Sequence, residues 1–427
     1  MSTCADVEQT NPKRGFGVLL RAWAQRVALL MAGAVFALLL GEVLVRWLAP
    51  QQLTILRADV WVADDVLGWQ RAPHLDTRIN TGERTVRLFT DDFGRRIGSA
   101  GPPSKPEVRV LALGDSFLEA LQVEFEDSFA GLLQEALESE LGASTRVVAA
   151  GVAGYDPNHY LLQARQELTR DAYDAIVVFL FLGNDVVHMR QDRIPPRTPQ
   201  TVHDFRWPRS SQPHELIDSL LYPLNDVLER NSHLFILLRI RLPFIKRRLI
   251  AIRHANQRMS DAEARFRSHV LNPDLAGSPR WRMTAELCAD IQELAGAQGV
   301  PTLFVMLPRK SWVDPDDLRS EAAGLGIDPD RLDVEQPFRE MRRELDRRNL
   351  RYLDTFPAFE AAWENGQRRL FGRVDTHLAP DGHRLVADLT FGPLLDMLAT
   401  AADMELGTDA GVGSRPETGS STDSKEP

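Results

Sequence analysis

The sequence predicts an α/β protein. Its expected form is a three-layer α/β/α sandwich around a parallel sheet, with an N-terminal transmembrane helix and a long helical insertion. Two observations predict the sandwich. Five apolar, β-branched runs recur along the chain, at Val108–Leu113, Arg146–Ala150, Ala175–Leu182, Thr302–Leu307 and Arg351–Leu353. Such runs suit strands buried on both faces, and the helical patterns between them supply the covering layers. A third observation predicts the anchor: Val27 to Gly41 is uninterruptedly apolar, and the helical stretch continues to Ala49. Roughly 20 mostly apolar residues span a bilayer.

Residues 1–26 form the segment before the anchor and carry Lys13, Arg14, Arg21 and Arg26. Positive charge stays on the cytoplasmic side, so the chain beyond the anchor at 27–49 is expected outside. Glu42 and Arg46 are spaced to pair on one helix face or to snorkel at the outer interface. A cleaved signal peptide is the rival reading, but Arg46-Trp47-Leu48-Ala49-Pro50 is a poor cleavage site. Residues 50–105 read as a small β-rich cap or linker, with alternation at Thr85–Phe89 and a turn at Asp92-Phe93-Gly94. The body follows at 106–396. In it, Asp127 is placed to cap a helix whose face carries Phe129, Leu132, Leu133, Ala136, Leu137 and Leu141, and Gly142 supplies the stop. Met283, Leu287, Ile291 and Leu294 make a second apolar face. The insertion at 186–280 begins with Pro195, Pro196 and Pro199. Its run Leu234–His254 is basic and apolar, read either as a membrane-surface helix or as a helix pair packed over the sheet, broken at Pro243. The C-terminal end, 397–427, becomes Gly, Ser, Thr, Asp and Glu from about Glu405, a composition expected to be disordered.

Composition narrows the function classes. The chain has 427 residues, 44% hydrophobic and 26% charged, which excludes wholesale disorder, collagen and a multi-span membrane protein. A net charge of −10 argues against a basic nucleic-acid-binding surface. Two cysteines, Cys4 and Cys288, exclude a disulfide scaffold and a cysteine zinc module; Cys288 reads as a small core residue. No His pair has zinc-site spacing, and no cofactor is expected.

Four segments at strand ends carry residues with chemistry. The first strand ends in Gly114-Asp115-Ser116-Phe117, a hydroxyl that needs a base to become a nucleophile. The second ends in Gly151-Val152-Ala153-Gly154-Tyr155, where glycine lets a backbone N–H approach a ligand. The third ends in Gly183-Asn184-Asp185, whose amide could donate to an oxyanion. After the fifth comes Asp375-Thr376-His377-Leu378-Ala379-Pro380-Asp381-Gly382-His383, with a base and a carboxylate to fix its tautomer. Alone, each segment is more often a turn; together, all four converge on one edge of one sheet.

In that order the segments resemble the SGNH/GDSL hydrolase superfamily, over about residues 106–392. The resemblance implies a flavodoxin-like sheet and a serine esterase. It implies Ser116 as nucleophile, with Asp375 and His377 as orienter and base. It implies an oxyanion hole from the N–H groups of Ser116 and Gly154 and the side chain of Asn184. Two departures stand out: Gly183 adjoins Asn184 directly, and the last block is Asp-x-His rather than Asp-x-x-His, a spacing similar to that of alginate-acetylating relatives. Asp381 and His383 repeat that spacing as a rival pair, but Pro380 favours a helix start there. The span ending in Glu42 and Arg46 resembles a membrane-anchored bacterial branch acting on polysaccharide O-acetyl groups. That branch implies a single pass of the bacterial inner membrane with the catalytic domain in the periplasm. The substrate would be an acylated carbohydrate or other ester, with cell-envelope polysaccharide machinery as a possible partner. Transfer to a polysaccharide, lipid ester or thioester hydrolysis, and glycan binding without chemistry are the alternatives. Asp115, Asn158, His159 and Arg309 are further candidates for touching substrate, with helix-start packing as the rival for His159 and solvated loop charge for Arg309.

Overall fold

The computed structural model describes residues 12–53, 60–186, 224, 227–241 and 265–409. His188, Pro195, Pro196, Pro199, Pro243, His254 and the tail beyond Asp409 lie outside them. Five strands precede the body: β1 (Trp61–Asp64), β2 (Gly68–Arg71), β3 (Asp76–Asn80), β4 (Thr85–Thr90) and β5 (Arg96–Ile97). Five more form it: β6 (Val108–Leu113), β7 (Thr145–Ala149), β8 (Ala175–Phe181), β9 (Thr302–Leu307) and β10 (Tyr352–Asp354). The main sheet has eight strands in the order β10-β9-β8-β6-β7-β5-β4-β3.

From β7 to β10 all neighbours are parallel. Their order, second-first-third-fourth-fifth in sequence, is the doubly wound arrangement that opens a crevice between the first and third strands at their carboxyl ends. Here those strands are β6 and β8. Two of the apolar runs are buried as expected, all six residues of β9 and the first six of β8, whereas the run Arg351–Leu353 at the sheet edge is exposed or half-buried. The helix Phe129–Leu141 packs with Pro380–Asp409, and Pro157–Arg170 packs with Pro279–Gly296. Cys288 is a fully buried core thiol on the last of these.

Three expectations need correction. Residues 76–97 are no separate cap. β3, β4 and β5 continue the main sheet antiparallel, joined to β7 by the pairing of Arg96 with Ala149, so the sheet is mixed. Among the described strands, only β1 and β2 stand apart, as a hairpin. Second, Ser128 rather than Asp127 caps the helix Phe129–Leu141, its Oγ accepting from the Gly131 N–H; Asp127 ends a short 3-10 turn before it. Gly142 does end the helix, at φ +60°. Third, the last helix runs to Asp409, past the predicted start of the tail. The N-terminal helix likewise begins at Pro12, and its stretch Trp23–Leu48 is long and apolar enough to cross a membrane.

Candidate active site

The site is assembled at the carboxyl ends of β6, β7 and β8, with one loop added from the C-terminal part. β6 delivers Ser116 at the start of a one-turn helix, Ser116–Glu119. Asp115 caps that turn, its Oδ1 accepting from the Phe117 N–H (2.9 Å). Its other oxygen accepts from Asn184 Nδ2 (2.8 Å), so the first and third strand ends are joined across the crevice. Asp115 is wholly buried. It is therefore an internal brace, not the substrate contact expected of it. Burial pushes its carboxyl above the ordinary range, against the bonds from Phe117 and Asn184. An amide carries two N–H groups, and the one spent on Asp115 leaves a second on Asn184. Asp185 turns inward, is fully buried, and accepts from the Tyr160 hydroxyl (3.0 Å) and the Phe181 N–H (2.9 Å).

The loop between the helix Phe356–Glu364 and the last helix brings His377. His377 Nε2 lies 2.7 Å from Ser116 Oγ, and His377 Nδ1 is hydrogen-bonded to Asp375 Oδ1. The three side chains thus form a continuous chain from hydroxyl to imidazole to carboxylate, across 261 residues of sequence. Burial pushes the His377 pKa down, but the bond and charge of Asp375, with the charge of Asp115, outweigh it and hold the imidazole above its ordinary value. Asp375 is correspondingly lowered despite its burial, by His377 and by Gln122. The bend of this loop makes the pairing possible, because the same Asp375 Oδ1 also accepts from the His377 backbone N–H (3.1 Å), a local turn that holds the two side chains together.

Gly154 is exposed and adopts φ +81°, where a Cβ would stand 3.3 Å from the Trp69 ring. Gly151 sits tighter still: a Cβ there would meet the Glu119 N at 2.6 Å. The β7 turn therefore runs against the serine helix, and only glycine permits the approach.

Several residues that frame the site had no signal in the sequence. Gln122 Nε2 donates to Asp375 Oδ2 (2.8 Å). Glu83, on the β3–β4 turn, accepts through Oε1 from the N–H groups of Val374 and Asp375. Trp69 donates to the Ala153 carbonyl (3.1 Å), and the Tyr155 hydroxyl donates back to the Trp69 carbonyl (2.6 Å). Glu83 and Trp69 come from the region before the body, so the added strands and hairpin hold both the Gly154 turn and the Asp375–His377 loop. Arg96 on β5 does the same for the serine helix, donating to the Glu119 carbonyl (2.8 Å) and to Ala120.

Three other candidates have partners of their own. His159 is buried in the first turn of Pro157–Arg170, forms a capping box with Asp156 and stacks on Tyr155 at 4.7 Å; helix-start packing is its role. Asn158 donates its backbone N–H to Asp156 (3.0 Å). Arg309 precedes the helix Lys310–Val313 and pairs with Glu321 at 2.9 Å.

Compared with known proteins, the sequence matches no family profile and no curated protein. Solved structures do match. A lipolytic protein of the G-D-S-L family from Veillonella parvula is 12% identical, with a TM-score of 0.34, over 67% of this chain and 97% of that one. An acetyl xylan esterase, AlAXEase, is 16% identical, with a TM-score of 0.36, over 67% and 99%. A carbohydrate acetylesterase family member from Sinorhizobium meliloti is 14% identical, with a TM-score of 0.34, over 68% and 99%.

Proposed function

We propose that this chain is a serine esterase of the SGNH/GDSL type, held at a bacterial inner membrane by its N-terminal helix with the catalytic domain outside. The observation that carries this reading is the bonded sequence Ser116 Oγ, His377 Nε2 and Nδ1, Asp375 Oδ1. His377, neutral at Nε2, takes the serine proton as Oγ attacks an ester carbonyl carbon. Asp375 holds the tautomer and stabilises the imidazolium. The tetrahedral oxyanion is met by the N–H groups of Ser116 and Gly154 and by the second N–H of Asn184. Collapse breaks the ester C–O bond, and His377 returns the proton to the leaving alkoxide. Water then repeats the cycle on the acyl-enzyme and frees the acid. The substrate proposed is an O-acyl ester, with O-acetyl on carbohydrate as the leading case.

The test is fluorophosphonate labelling of the full chain in detergent, with the modified peptide found by mass spectrometry. Labelling at Ser116, lost in Ser116→Ala and His377→Ala, is the expected result. A well-folded protein that takes no label overturns the reading.

A further inference from the structure

The outer end of the N-terminal helix is tied to two distant parts of the chain. Glu42 Oε2 accepts from Ser232 Oγ (2.7 Å) and the Leu234 N–H (2.9 Å), and Oε1 accepts from the His233 N–H (3.0 Å). The carboxylate thereby satisfies N–H groups that a helix start leaves open, here those of His233–Ile236. Arg46 completes the clamp: its Nε donates to Glu42 (2.8 Å) and its guanidinium to the Asn231 carbonyl (2.6 Å). Leu234 Cδ2 lies 3.1 Å from where a Cβ on Gly41 would stand, so this side chain packs on the helix at the glycine. The described part of the basic, apolar run therefore packs on the N-terminal helix, an arrangement neither expectation for it contained.

The second tie reaches the catalytic loop. Past the helix end, the Gln51 N–H donates to His233 Nδ1 (2.8 Å) and Gln52 Nε2 donates to the Val374 carbonyl (3.0 Å), next to Asp375. Gln52 follows Leu48 by four residues, at most ~14 Å of extended chain. The catalytic loop is thus held on the order of 20 Å from the end of the helix. The apolar stretch Trp23–Leu48 has 26 residues, ~39 Å at the helical rise, against ~30 Å of hydrocarbon. Glu42 and Arg46 then fall at the outer boundary, and what packs on them lies at the bilayer surface. There Leu224, Val227 and Leu238 stay 56%, 55% and 43% exposed.

We propose that residues 227–241, with Leu224, are an interfacial membrane contact, clamped to the anchor by Glu42 and Arg46. Leu224, Val227 and Leu238 rest in the headgroup region of the outer leaflet, and the site works on esters presented at the membrane surface. This rests on the reading of the N-terminal helix as an anchor.

The test places the full chain, with Cys4→Ser, in lipid nanodiscs; Cys288 is buried and takes no label. Single cysteines at Leu39, Val227, Leu238 and Leu141 carry a fluorophore, and lipids with quenchers at shallow or deep positions report depth. Leu39 is expected to be quenched by deep lipid, and Val227 and Leu238 by shallow lipid several-fold more than Leu141. Glu42→Ala is expected to remove most of the quenching at Leu238 while leaving Leu39 unchanged. If Val227 and Leu238 match Leu141 while Leu39 is quenched, the surface contact is overturned and the anchor stands. If Leu39 is not quenched, both fall. Ser116 labelling on the same samples reports the chemistry separately.

Discussion

Two Asp-x-His pairs lie six residues apart, and the fold gives them opposite fates. Asp375 and His377 sit in a bent loop, where Asp375 Oδ1 accepts from the His377 backbone N–H (3.1 Å) and bonds its imidazole. Asp381 and His383 sit in the first turn of the helix Pro380–Asp409, where such residues do not face each other. Asp381 points out to Arg369 (3.4 Å), while His383 is 1% exposed and lies against the Phe129 ring. Its Nδ1 accepts from the Phe129 N–H (3.3 Å), an N–H that its own helix leaves open. Burial, with the charges of Arg96 and His377, takes the His383 pKa down to about 3, whereas Asp375 holds His377 above its ordinary value. Spacing alone makes no catalytic pair; the backbone under it decides.

The largest effect should separate the two histidines outright. His377→Ala is expected to lower kcat on an activated acetyl ester by a factor on the order of 10⁵ to 10⁶. His383→Gln, whose amide oxygen can still accept from Phe129, should keep kcat within about threefold while costing roughly 1–3 kcal/mol of stability. Steady-state kinetics beside urea denaturation checks both. Equal losses of kcat would erase the distinction.

Asp375→Asn should cost about 10⁴ in kcat, through loss of the correct tautomer. It should also move the acid limb of the pH profile. The base works when neutral, so wild-type activity rises with pH through the raised His377 pKa. Without the carboxylate that limb shifts to lower pH.

The two histidines should also oppose each other in stability. For His377 the folded pKa is raised, so its contribution is complete below ~6.5 and is lost as pH rises through the folded value. For His383 the folded pKa is lowered, so the unfolded chain gains the proton first as pH falls. Stability then declines between ~6.5 and about 3, at up to ~1.4 kcal/mol per pH unit. His383→Gln should flatten that decline, as read from urea midpoints across pH.

A smaller effect should follow from what holds the catalytic loop and is missing around the second pair. Glu83→Ala frees the Val374 and Asp375 N–H groups and should lower kcat about 10- to 100-fold with KM little changed. Glu83→Gln, which keeps an accepting oxygen, should restore most of the loss.

The parallel strands and the four motif turns were legible because buried β-branched runs and strand-end residues leave local signals. Ser116, Asn184, Gly154, Asp375 and His377 sit where such signals point. The alternation at Thr85–Phe89 was legible as β4, but its joining to the main sheet was not: β5 has two residues, and the ladder pair of Arg96 with Ala149 links it to β7. Glu83, Gln122 and Trp69 were invisible for a related reason. Each acts on a partner 84 or more residues away, through bonds to backbone or carboxylate that no spacing announces. His159 and Asp115 misled because a polar residue at a strand end looks the same whether it faces substrate or caps a helix.

Asp381→Ala should do almost nothing, and that is informative. Its carboxylate is 44% exposed and its partner Arg369 84% exposed. Such a pair is screened and holds two mobile side chains, so stability should change by less than about 0.5 kcal/mol. Its place in the first helical turn adds at most a few tenths through the dipole, also roughly within that bound. His383 makes no bond to it, so the fall of stability toward acid should persist unchanged. kcat should match wild type. A measurable loss of kcat would mean that the helix start opens and lets the second pair exchange with the first, and the separation drawn from the backbone would no longer hold.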